Sequence, residues 1–203
     1  MNDTAIKSPV LIYTEQTPNP ESLKFVTNRI LYKGTADFKD ADLAEEWSPL
    51  AFALFEKPFV KGVYICNNFV TVTKELQYEW ADLMLPLKQF IKEYVENGGE
   101  IVSEGFEAAK AALEAERDEV EYAGDEAEIV EMIKNLIEER VKPAVEMDGG
   151  NIEFKSYKEG VVSLIMQGAC SGCPSSTVTL KAGIEGILKR MIPQVKEVVS
   201  EMG

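Results

Sequence analysis

The 203-residue sequence contains no histidine, and this absence excludes several classes of chemistry. Without an imidazole the chain cannot build a Ser-His-Asp or Cys-His nucleophile system, a histidine proton shuttle or a mixed Cys/His metal site. Most hydrolase mechanisms are therefore excluded.

Cysteine is almost as scarce, with only Cys66, Cys170 and Cys173. Three thiols are too few, and odd in number, for the disulfide framework of a secreted domain, so they indicate a reducing compartment. Residues 1–9 carry neither the apolar segment of a signal peptide nor the Arg-rich, acid-poor pattern of a transit peptide. We therefore expect a cytoplasmic protein.

Basic residues are outnumbered by acidic ones, and long hydrophobic runs are absent from the sequence. The chain has 21 basic and 35 acidic side chains and a formal net charge of −14, so its summed field repels nucleic-acid phosphates and anionic lipid surfaces. No apolar stretch approaches the ~18–20 residues that span a bilayer. We expect neither nucleic acid nor membrane as a partner.

The charge distribution predicts two domains joined by an acidic linker. Hydrophobic residues make up 45% of the chain, enough for a substantial core. Between residues 100 and 128, eleven acids face only Lys110 and Arg117, and the apolar periodicity fades. We predict a first domain over residues 9–99, a linker over residues 100–124 and a second domain over residues 125–203.

The first domain has the pattern of a small α/β unit. The loop Thr17-Pro18-Asn19-Pro20 reverses the chain between two predicted strands, since its prolines cannot join a central sheet. Asn67 and Asn68 predict a tight hairpin turn, and Pro86 predicts the first turn of a later helix. The predicted strands are 10–13, 23–26, 62–66 and 69–72, and the predicted helices are 42–47, 49–55 and a third running through Phe90 to Val95.

The second domain reads as helix, hairpin, helix and terminal strand. Apolar residues recur at helical spacing from residue 129 until Pro143. Alternating residues on either side of Glu159-Gly160 predict a hairpin, and a further helical pattern ends at Pro193. A short strand over residues 195–199 closes the domain. The fold class is therefore α/β (α+β), in two small domains.

The Cys170-x-x-Cys173 pair lies on a glycine-rich loop where a predicted strand meets a predicted helix. Gly168 and Gly172 let the backbone wrap a bulky ligand, and Pro174 suits the first helical position. The positive end of a helix dipole stabilises thiolates and bound anions, so we expect lowered thiol pKa values here. Two thiols that merely happen to share a loop would not need these glycines.

Three chemistries compete for this pair. A thiol–disulfide oxidoreductase uses such a motif, but usually within a thioredoxin-like βαβ pattern that this domain lacks. Structural zinc needs four N or S ligands, and one chain offers two adjacent thiols. An iron–sulfur cluster in its usual form also needs four thiolates, so two chains donating two each is the simplest count. The arithmetic favours a metal centre shared between chains.

Two further residues receive structural interpretations. Cys66 lies within a predicted strand and reads as a small buried hydrophobe. Asp148 precedes Gly149-Gly150 at a turn between helix and strand, where an acid usually serves the turn itself.

The motifs resemble those of a known family. Asp148-Gly149-Gly150-Asn151-Ile152 and the run from Gly168 through Cys170-Ser171-Gly172-Cys173-Pro174 to Thr177 closely resemble the C-terminal domain of NifU, the Nfu module. Residues 11–99, with Thr17-Pro18-Asn19-Pro20 and the segment around Trp80, resemble the N-terminal domain that accompanies it in Nfu-type proteins.

This resemblance implies a non-enzymatic assembly factor. Such a protein would hold a labile 4Fe-4S cluster between two chains and pass it to apo-proteins, with Cys170 and Cys173 as the ligands. Its expected partners are a second copy of the chain upon cluster binding, apo iron–sulfur acceptor proteins and upstream cluster assembly factors. A dithiol thiol–disulfide oxidoreductase is the alternative.

Overall fold

A computed structural model describes residues 9–117, 122–171 and 174–202. Within these ranges the chain forms two domains, each with its own sheet and its own apolar core. The mixed helix and strand content confirms the predicted fold class. Among the described helices, none is long and apolar enough to cross a bilayer.

The first domain is built on a five-stranded antiparallel sheet in the order β1-β2-β5-β4-β3. A tight turn joins β4 to β5, and Asn67 takes the positive φ (46°) expected of an asparagine there. The strands are β1 (Ile12–Gln16), β2 (Ser22–Thr27), β3 (Tyr32–Phe38), β4 (Val60–Asn67) and β5 (Phe69–Lys74).

Three helices cover one face of this sheet. They are α1 (Ala41–Trp47), α2 (Pro49–Phe55) and α3 (Trp80–Glu96). Ser48 ends α1 and caps α2, its hydroxyl accepting the amide proton of Ala51 at 3.1 Å. The buried stripe of α3 closes the core with Leu83, Leu87, Ile91 and Val95.

Two predictions for this domain need correction. Pro86 does not begin a helix but lies inside α3, which starts six residues earlier at Trp80. The buried stripe on both sides of Pro86 holds the helix together across the missing N–H. Strand β3 was not predicted, because its sequence contains Gly34 and Ala36 and only one β-branched residue.

Part of the predicted linker is helical and packs on the first domain. Helix α4 spans Phe106–Arg117. The Phe106 ring is buried, with its centroid 5.6 Å from that of Phe38 and 5.9 Å from that of Trp47. The first core therefore extends past residue 99. Residues 118–121 lie outside the described ranges.

The second domain begins with a long helix interrupted by one π-helical turn. Helix α5 (Asp125–Leu136) continues through the π-helical turn Ile137–Val141 into α6 (Lys142–Met147). The predicted end at Pro143 is therefore wrong. The amide of Lys142 donates to the carbonyl of Ile137, and this widened turn directly precedes the proline ring.

A three-stranded sheet and a last helix complete this domain. Strands β6 (Gly150–Lys158) and β7 (Val161–Gly168) form the predicted hairpin, α7 (Pro174–Met191) follows, and β8 (Glu197–Met202) pairs parallel with β7. The predicted terminal strand is confirmed, displaced by two to three residues. The core between sheet and helices includes Ile133, Ile152, Leu164, Leu188 and Val198.

Candidate functional site

The loop that carries Cys170 leaves β7 through a tight glycine turn. Gly168 has φ +63°, and a Cβ there would lie 2.8 Å from the carbonyl oxygen of Gly149 and 2.8 Å from the ring of Tyr64. The amide and hydroxyl of Ser171 both reach the Gly168 carbonyl, at 3.1 and 2.9 Å. Only glycine fits at this turn, which fixes where the following thiol lies.

The motif Asp148-Gly149-Gly150-Asn151 forms the other wall of the site. Gly150 pairs with Gly168 across the hairpin, and a Cβ on Gly150 would lie 2.7 Å from Cys170 Sγ. Asn151 is 1% exposed, and its side-chain nitrogen Nδ2 donates to Glu153 Oε1 at 2.9 Å and to Gln167 Oε1 at 2.8 Å. The glycine therefore leaves room for the thiol, and the asparagine locks the two strands beside it.

Cys170 is only 7% exposed and packs against the core of the second domain. Burial raises the pKa of its thiol to about 12, and the carboxylate of Asp148 adds to this effect. The expected lowering of the thiol pKa is therefore not found for Cys170 in this arrangement. Three residues lie between Cys170 and Pro174, the first residue of α7, and desolvation is the largest cause of the raised thiol pKa.

A largely apolar cavity of about 590 Å³ lies beside the thiol. Cys170, Asp148 and Arg140 line it together with apolar residues of α6 and α7, and Pro18 of the first domain contributes to its wall. Asp148 was expected to have only a structural role in the turn, but it also lines the same cavity as Cys170.

The remaining cysteines differ in position. Cys173 lies outside the described residues. Cys66 is 2% exposed on β4, where burial raises the pKa of its thiol, and this confirms its interpretation as a buried strand residue. Within the described ranges, no group of three or more carboxylate or thiol side chains is placed to hold a metal ion.

Sequence reasoning missed the first-domain residues that touch this site. The hydroxyl of Thr71 donates to the Gly149 carbonyl at 2.8 Å, and the amide of Gly168 donates to Asp37 Oδ1 at 3.3 Å. One feature of the sequence indicates this contact. Strands β2 and β5 carry apolar side chains at both odd-numbered and even-numbered positions, which point to opposite faces of the sheet. That pattern is typical of strands buried on both faces.

Two family models match the chain. The model "NifU-like domain" matches residues 133–199, and "Scaffold protein Nfu/NifU N terminal" matches residues 12–98. The matched segments cover β1 to α3 in the first domain and most of the second, including the loop with Cys170 and Cys173.

Named relatives agree with these matches. The protein named "NFU1 iron-sulfur cluster scaffold homolog, mitochondrial" from Drosophila willistoni is 41% identical over 194 residues, which is 95% of this chain and 64% of that protein. Its counterpart from Drosophila sechellia is 39% identical over 196 residues, 96% of this chain and 66% of that protein. The chain thus spans slightly less than two thirds of these relatives.

A solved structure was also matched, that of a NifU-like protein from Saccharomyces cerevisiae in solution. It shares 23% sequence identity and a TM-score of 0.43, covering 51% of this chain and 91% of that one.

The relatives contradict the expected cytoplasmic location, because they are named as mitochondrial proteins. The expectation rested on the scarcity of cysteine and on the composition of residues 1–9, and both are weak indicators of compartment.

Proposed function

The chain belongs to the Nfu family of iron–sulfur cluster scaffold proteins, and on this premise we propose that it holds a 4Fe-4S cluster as cargo and transfers it to apo-proteins. The observation that carries the proposal is the position of Cys170. It lies on the glycine turn after β7, inside the segment matched to the NifU-like domain and beside a cavity of about 590 Å³.

The number of thiolate ligands requires a second chain. A cubane cluster takes four thiolates, while one chain supplies Cys170 and Cys173 from its loop and has no histidine to replace a thiolate. Cys66 lies on β4 within the first domain and is not part of the loop. Two chains that each donate two thiolates complete the coordination, so the loaded form is a homodimer.

Transfer proceeds by ligand exchange. Each incoming thiolate of an acceptor forms one Fe–S bond, and one cysteine thiolate of the carrier leaves, so neither iron nor sulfur changes oxidation state. A cluster shared between two chains exposes half of its ligand sphere when the dimer opens. The protein is therefore a carrier rather than an enzyme, and its partners are apo acceptors and the factors that supply the cluster.

Anaerobic incubation of the full chain with iron and sulfide tests the proposal. We expect a brown protein with broad absorption near ~400 nm, and loss of that colour when an apo iron–sulfur acceptor becomes active. The dithiol oxidoreductase alternative predicts a colourless protein that reduces disulfides. That result would contradict the carrier function.

A further inference from the structure

The central strands β2, β4 and β5 of the first sheet are largely buried on both faces, although the helices of this domain cover only one. The second face carries Lys24, Val26, Tyr64, Cys66, Phe69 and Thr71, called here the docking face. Its four apolar members form a small cluster separate from the main core and are 1–6% exposed. The second domain covers this face, through the ends of α6 and β7 and the loops that follow them.

Lys24 joins the docking face to the end of the helix α6. Its ammonium group donates to the carbonyl oxygens of Met147 at 3.0 Å and Glu146 at 3.4 Å, and the residue is 7% exposed. The last carbonyls of a helix have no partner within the helix and carry partial negative charge. A lysine of one domain thus caps a helix of the other, next to Asp148.

Further contacts reach the two glycine turns that shape the cysteine site. Thr71 donates to the carbonyl of Gly149, and a Cβ on that glycine would lie 2.9 Å from Thr71 Oγ1. Gly168 donates to Asp37 and lies against the ring of Tyr64. The fit to the docking face therefore depends on glycine at both turns.

The loop of residues 17–20 lies beside the cysteine loop in a fixed conformation. Thr17 Oγ1 donates to the Asn19 carbonyl at 2.8 Å, and the indole of Trp80 donates to the Pro20 carbonyl at 3.0 Å. Asn19 is 1% exposed although it lies in a loop, and its side-chain nitrogen is 3.5 Å from the Ser171 carbonyl. Pro18 lines the same cavity as Cys170.

We propose that the docking face and the loop of residues 17–20 form an intramolecular cover that competes with a second chain for the cysteine loop. This inference rests on the proposed function, in which two such loops must meet around one cluster. The first domain occupies space beside Ala169, Cys170 and Ser171 that the partner's loop and the cluster need. Binding of a cluster between two chains therefore requires the first domain to move away from the cysteine loop.

The contacts are suited to reversible release. The hydrogen bonds between the domains are exchanged for hydrogen bonds with water upon release, so each contributes little net free energy. Asp37 Oδ2 is buried and has no hydrogen-bond partner among the described residues, so docking also carries a desolvation cost that release removes. The peptide connection keeps the two surfaces at high effective concentration, which favours the covered form when no cluster is present.

The double variant Lys24→Met, Thr71→Val tests the cover in the full chain. Both substitutions keep the bulk of the side chain and remove the donors to Met147 and Gly149. We expect hydrogen exchange at the Gly168 amide, measured by NMR on the apo-protein, to become about tenfold faster because the open fraction rises. Sedimentation after reconstitution should show the loaded dimer forming at about tenfold lower protein concentration.

The matched control is Thr14→Val, Lys92→Met, which makes the same two changes elsewhere in the first domain. Thr14 contacts Met84 at 3.5 Å, and Lys92 pairs with Glu96 at 3.8 Å, so these contacts stay within that domain. We expect the control to match the unmodified chain in both measurements. The single variants should give smaller shifts in the same direction, so the test survives if the double variant fails to fold.

The outcomes separate the cover from the carrier function. Unchanged exchange at Gly168 in the Lys24 and Thr71 variants would overturn the docking. Faster exchange with an unchanged concentration for dimer formation would overturn the competition. If no chain takes up a cluster, the proposed function fails and the competition with it, whereas the exchange rates still report on the docking.

Discussion

Replacing Cys170 or Cys173 by serine should abolish stable cluster binding, whereas Cys66→Ser should leave it intact. In the proposed dimer, each loop substitution removes two of the four thiolates, because the change occurs in both chains. A serine hydroxyl is a poor substitute for a thiolate toward iron. Iron and sulfide analysis after anaerobic reconstitution, together with absorbance near ~400 nm, measures the loss.

Cys66→Ser is the matched control, since it also exchanges one thiol for a hydroxyl. Its position on β4 keeps it in the first domain, where the thiol is buried against Val26, Tyr64 and Phe69. A Cys66→Ser protein that alone fails to reconstitute would show that the count of two thiolates per chain is wrong.

Truncating one fully buried isoleucine in either core should destabilise that domain alone. Ile133 and Ile91 are both 0% exposed, in the second and first cores respectively. Ile133→Ala should lower the free energy of unfolding of the second domain by about 2–5 kcal/mol, and Ile91→Ala should do the same to the first domain. Cluster retention on warming should fall mainly in Ile133→Ala.

The two tryptophans allow these transitions to be separated. Trp47 and Trp80 both belong to the first domain, so their fluorescence reports its unfolding, while circular dichroism reports both domains. We expect only Ile91→Ala to shift the fluorescence transition by the full amount. Identical shifts in both signals for both variants would contradict two separate folding units and the boundaries proposed between residues 99 and 125.

Periodicity was enough to predict the elements that bury one clear face. The hairpin of β6 and β7 alternates regularly, and α5 repeats apolar residues at helical spacing, so both were predicted correctly. Strand β3 was not predicted because its own residues have low β propensity, and its pairing with β4 stabilises it instead. Pro86 and Pro143 were read as helix boundaries, but tertiary packing and a π-helical turn carry the helices through them.

The candidate site was predictable in its chemistry but not in its surroundings. The spacing of Cys170 and Cys173 and the flanking glycines indicate a bound ligand from sequence alone. The contacts of Lys24 and Thr71 with the second domain join residues more than 70 positions apart. No local pattern encodes such pairings, because they depend on how two separate cores come together.

Sedimentation of the apo and reconstituted protein, paired with iron determination on the same samples, tests the central claim most directly. The account predicts about four irons per two chains and a doubling of mass that appears with the brown colour. Removing the iron with a chelator should reverse both changes, since cluster binding and dimerisation are thermodynamically linked. A brown, strictly monomeric protein with four irons per chain would contradict it.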